Sequence, residues 1–101
     1  MSTYTAAGDR MAADGRAVVL VRNGTTEPRS ATVVIDGAES ATRHAALSPG
    51  EVGVVAAPAT GQVVAAVHTD DASASFSFDP ETASAPPLFA LRPGGVLVSS
   101  G

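Results

Sequence analysis

Apolar positions along this chain fall in short runs of valine and alanine, each closed by Gly, Pro, Asp or Asn, and the runs recur about every ten residues. The strongest are Ala17-Val-Val-Leu-Val21, Thr32-Val-Val-Ile35, Val52-Gly-Val-Val-Ala-Ala57 and Val63-Val-Ala-Ala-Val67. None is long enough, or carries the 3.6-residue period, for an amphipathic helix. The pattern predicts an all-β chain folded as an antiparallel β-sandwich of seven to eight strands, with no helix beyond a turn or two.

The turns set the strand order. Residues 2–7 alternate Thr and Tyr with small residues and are expected to form a first edge strand, and Asp14-Gly15 turns the chain into a strand over residues 16–22. A loop over residues 23–28 leads to a strand over 30–36. Asp36-Gly37 is a tight hairpin signal before a weaker strand over 40–47. Ser48-Pro49-Gly50-Glu51 has the type II β-turn signature, Pro presetting its own φ and Gly supplying the positive one. Strands over 52–57, 63–68 and 73–78 complete the body. The last alternates cleanly, with Ala74, Phe76 and Phe78 on one face and three serines on the other. The remaining strong strands are apolar on both faces, so an outer face either tolerates alanine in water or is covered by a partner or by the C-terminal tail. The expected core draws on Val18 or Val19, Leu20, Val34 or Ile35, Val54, Val64 and Phe76.

Residues 80–87 form a proline-rich linker, followed by an apolar segment over 88–101 that carries Leu88, Phe89, Leu91, Val96, Leu97 and Val98 around an Arg92-Pro-Gly-Gly95 turn. In a chain with so few large apolar groups these six residues are the candidate partner contacts. They would add strands to an edge of their own sheet or of a neighbour's.

Composition narrows the functional classes. At 101 residues the chain is one domain with one core, and with aromatics at 4% that core must be built from Val, Leu and Ala. The absence of cysteine removes disulfides, thiolate nucleophiles and cysteine-ligated metals together. All six basic residues are scattered arginines and the net charge is −4, which disfavours nucleic acid as a partner. No lysine, few amides and an acidic excess suit a GC-rich or salt-adapted, halophilic source. No cationic leader or long apolar run is visible, so no membrane insertion is expected, and the chain reads as cytoplasmic or as part of a virion assembled there.

Val21-Arg-Asn-Gly24, Val33-Val-Ile-Asp-Gly37 and Leu47-Ser-Pro-Gly-Glu51 together make residues 17–67 resemble a prokaryotic immunoglobulin-like sandwich of the CARDB, or cell-adhesion-related, type. In that family a strand ends in Asn near a loop, and a Leu-x-Pro-Gly-Glu turn leads into a core strand. The resemblance implies an immunoglobulin-like fold and a non-catalytic role, since members mostly bind or space other proteins.

The candidate chemistry is sparse. His44 and His68 are the only histidines, and no His-x-x-x-His spacing supports a shared metal site, so each reads as a strand-end polar residue. No Gly-x-Ser-x-Gly elbow or phosphate-binding glycine loop is present. Asp70, Asp71, Asp79 and Glu81 form the densest carboxylate group but lack the spacing of a calcium loop, and read as solvated. Asn23-Gly-Thr25 is a glycosylation sequon, with meaning only in an exported chain. The expectation is thus of no enzyme, no cofactor and no metal. It is of a structural or accessory subunit in a homo- or hetero-oligomer, such as a capsid decoration protein or an accessory subunit of a surface complex. The alternative is a free-standing cytoplasmic binding or regulatory module with its site on the end loops.

Overall fold

The computed structural model describes residues 15–99, so the edge strand expected over residues 2–7 lies outside the described residues. Eight strands follow in order: β1 (Arg16–Asn23), β2 (Arg29–Asp36), β3 (Ser40–Leu47), β4 (Val52–Pro58), β5 (Val63–His68), β6 (Ser73–Phe78), β7 (Leu88–Arg92) and β8 (Gly95–Ser99). No helix occurs among the described residues. Most strands sit where a Val-rich or alternating run was bounded by turn formers, because those side chains fit a pleated, half-buried surface and the turn formers end it.

The strands form two four-stranded sheets, ordered β4-β1-β7-β8 and β3-β2-β5-β6. The shortest principal extent of the molecule is 20 Å, the thickness of two sheets about 10 Å apart with side chains on their outer faces. Every pairing is antiparallel except one: β7 runs parallel to β1, with Leu20 opposite Leu88 and Asn23 opposite Leu91. A parallel neighbour needs a crossover connection, and residues 79–87 provide it by carrying the chain from the second sheet to the first. That segment is no free linker. Pro80 is fully buried, Ala83 packs against the core, and the amide of Leu20 donates to the Pro87 carbonyl at 3.0 Å.

The core lies between the sheets. Ala17, Val19 and Val21 of β1 share their face with Val55 and Ala57 of β4 and with Phe89 and Leu91 of β7. Facing them are Ala31, Val33 and Ile35 of β2, Val63, Ala65 and Val67 of β5, and Phe78, all buried. The phase of two strands is the reverse of the sequence expectation: Val54 and Val64 are 39% and 44% exposed, while Val55 and Val63 are buried. A run that is apolar at every position fits either phase, and the choice falls to register with the neighbouring strand. Val19, Ile35 and the half-buried Phe76 join the core as expected, with the rings of Phe76 and Phe78 stacked at 6.1 Å; Val18 and Leu20 are buried as well, but on the outer face of β1.

Candidate functional site

Asn23 ends β1 on its inner face and is 0% exposed. Burying an amide is costly unless every donor and acceptor finds a partner, and here all do. Its Nδ2 donates to the carbonyls of Glu27 at 2.8 Å and Leu47 at 3.0 Å. Its Oδ1 accepts from the Thr25 amide at 2.9 Å and the Thr25 hydroxyl at 2.6 Å. On the backbone, its amide donates to the Glu51 carbonyl and its carbonyl accepts from the Gly50 amide at 2.7 Å. One residue thereby ties the β1–β2 loop, the end of β3 and the β3–β4 turn together. The turn is the expected type II, closed by the Glu51 amide on the Ser48 carbonyl, with Gly50 at φ +80°. Gly24 is held to glycine by close approach, since a Cβ there would stand 2.9 Å from the Leu91 carbonyl oxygen. The Asn and the Leu-x-Pro-Gly-Glu turn, read separately in the sequence, are therefore one structural node. The sequon asparagine has no free amide to modify in the folded chain.

The outer face of the second sheet is the more polar of the two, though Val34 and Val64 also lie on it, and it carries the two histidines. Thr32 of β2 is the register partner of His44 on β3 and of His68 on β5, and His68 is in turn opposite Ser73 on β6. The result is a row of four, His44, Thr32, His68, Ser73, running straight across the sheet. Both imidazoles are exposed, and the Thr32 hydroxyl lies 3.3 Å from His44 Nδ1. Both histidines, with Thr32 and Asp70, line one groove of about 330 Å³. A second groove of about 340 Å³ adjoins it, sharing Ser30, Thr69 and Asp70 and bounded by Glu27 and Arg29 of the loop end. The Nε of Arg29 is buried there without a hydrogen-bond partner. Sequence spacing missed this row because histidines 24 positions apart have no local relation; only the pairing of β2 with both neighbours aligns them.

The other candidates separate. Asp70 and Asp71 lie in the β5–β6 turn and Asp79 and Glu81 beyond the far end of β6, so a six-residue strand of about 20 Å stands between the pairs. Asp71 accepts from the Thr69 hydroxyl and Asp79 from the Glu81 amide. Among the described residues no three His, Cys, Asp or Glu side chains are gathered to hold a metal ion. Of the tail candidates, Phe89 and Leu91 are 0% and 1% exposed within the chain's own core and are not open to a partner. Leu88, Val96 and Val98 are half-buried against that core, and Leu97 is 56% exposed.

Leu97 belongs to a larger surface. Register places Val52, Arg22, Ala90 and Leu97 in one row across the outer face of the first sheet, and Val54, Leu20 and Leu88 in the next. Val52, Val54 and Leu97 are three of the four large apolar side chains exposed among the described residues. Arg22 is the charge among them. Among the described residues no helix is long and apolar enough to cross a membrane.

Comparison with protein-family models, with curated proteins and with solved structures yields no match for this chain. What the structure defines is the class: over the described residues, an all-β sandwich of eight strands with one crossover-built parallel pair.

Proposed function

We propose that this chain is a non-catalytic sandwich module that works by contact with other protein subunits, as a structural or accessory component of a larger assembly. The observation that carries this reading is the gathering of Val52, Val54 and Leu97 on one sheet face, around Ala90, Leu88 and Arg22. Exposed large apolar side chains gathered on one face are the form a protein-binding surface takes. The single arginine in its row is the kind of residue that anchors such interfaces. The resemblance of the Val21–Gly24 and Leu47–Glu51 sequence motifs to immunoglobulin-like modules of the cell-adhesion-related type is in keeping with the same role.

A photo-crosslinking residue placed at Leu97, and separately at Ser75 on the serine face of β6, tests the reading in the native host. Position 97 is expected to yield discrete crosslinked species of higher mass and position 75 none. Equal yields from both, or monomer from both, would overturn it.

A second reading, a free-standing binding module, draws on the adjoining grooves beside the β1–β2 and β5–β6 loops, where the Arg29 Nε is left unpaired. A ligand held there would leave position 97 uncrosslinked and protect Ser30 and Thr69 from exchange.

A further inference from the structure

The polar face of the second sheet lies on the other side of the molecule from the apolar surface above and carries its own chemistry. We propose that the His44–Thr32–His68 row is a binding site for one divalent transition-metal ion of the zinc and copper class, with the two imidazoles as ligands and water in the remaining positions.

Placement comes first. Both histidines are register partners of Thr32, so their Cα atoms stand two strand spacings apart, about 9.5 Å. Both side chains leave the sheet on the same face and line the same groove. Each ring can lean inward over the short Thr32 side chain, and metal–nitrogen bonds of about 2.0–2.1 Å then place a shared ion above the middle strand. A bulkier residue than threonine at the centre of the row would block that approach.

Ring orientation is the second point. The Thr32 hydroxyl lies 3.3 Å from His44 Nδ1. When Nδ1–H donates to that hydroxyl, the Nε2 lone pair is left facing solvent. Metal-ligating histidines characteristically have their second ring nitrogen engaged in this way, which fixes the tautomer and the direction of the lone pair.

The donor set decides the ion. Imidazole nitrogen favours zinc, copper and nickel, whereas magnesium and calcium require oxygen donors. Asp70 lines the same groove and adds negative charge that favours a cation. Because no third His, Cys, Asp or Glu completes the set among the described residues, the coordination sphere stays open to water, and the ion exchanges readily.

The experiment titrates the whole chain with zinc chloride, copper(II) chloride and, for contrast, magnesium chloride. Calorimetry gives the stoichiometry, and NMR follows the two imidazoles. One zinc ion per chain is expected, with the resonances of His44 and His68 moving together and no response to magnesium. His44→Ala and His68→Ala should each weaken zinc binding by at least about tenfold, since loss of one ligand converts chelation into single-point binding. Thr32→Val should weaken it less, by freeing the His44 ring. All three positions lie on the outer face, so melting of the metal-free variants should match the parent. The proposal is overturned if zinc shows no saturable binding below about 1 mM. It is also overturned if the two imidazoles titrate independently in the parent protein, or if either single variant binds zinc as tightly as the parent. None of these outcomes bears on the crosslinking of Leu97.

Discussion

Asn23 shows how one side chain can hold three segments. Replacing it with aspartate keeps the shape but turns two donors into acceptors that would face the carbonyls of Glu27 and Leu47. A buried polar group stripped of its partner costs about 1–3 kcal/mol, and here two carbonyls and a new carboxylate are affected together. Asn23→Asp is therefore expected to lower stability by about 3 kcal/mol, a fall in Tm of roughly 12–24 °C for a domain this size. Chemical denaturation checks it, and a loss below about 0.5 kcal/mol would show that the node is dispensable. Asn23 was visible in the sequence as a strand-ending residue next to a loop. Its link to the Leu47–Glu51 turn was not, because nothing local connects a side-chain amide to a carbonyl contributed by another strand.

Strand positions were legible because turn chemistry is local: Asp36-Gly37, Pro49-Gly50 and Pro93-Gly94 each end a run where the backbone must reverse. Strand phase was legible only where polar residues alternated. β6, with its serines, came out with the expected face inward, whereas β4 and β5, each with Val and Ala on both faces, did not. A pair of substitutions reads the phase directly. Val55→Asp buries a charge between the sheets and is expected to leave the chain unfolded at room temperature, while Val54→Asp, on the outer face, should change stability by less than about 1 kcal/mol. Circular dichroism melting of the two variants distinguishes them, and similar melting would show the register to be shifted. The partner-contact expectation for the tail met the same limit. Phe89 and Leu91 are inward because β7 pairs with β1, and a non-local parallel pairing leaves no mark in the sequence of either strand.

At the scale of the molecule, the carboxylates of Glu27, Asp36, Glu39, Glu51, Asp70, Asp71 and Glu81 all stand exposed on a surface without lysine. Their mutual repulsion opposes the compact state and is relieved by salt. If this composition is an adaptation to salt, Tm should continue to rise between about 0.5 and 2 M KCl, where simple screening is already close to complete. A plateau over that range would mark the composition as codon bias alone. The class of fold was legible from rhythm and composition, while the two proposed surfaces were not. Each is assembled by rows that cross strands: Val52, Arg22, Ala90 and Leu97 on one sheet, and His44, Thr32 and His68 on the other.

The parallel pairing of β1 with β7 bears on how the protein is born. β1 precedes every other described strand, yet Leu20 and Val21 cannot meet Leu88 and Phe89 until β2 through β6 have been synthesised. Until then β1 has β4 on one side and an open edge on the other, and an open apolar edge is a template for the wrong partner. Contacts so distant along the chain form late and slowly. Closure of the first sheet thus waits until residues 88–92 have been synthesised, and until then the nascent chain carries an unpaired apolar strand edge.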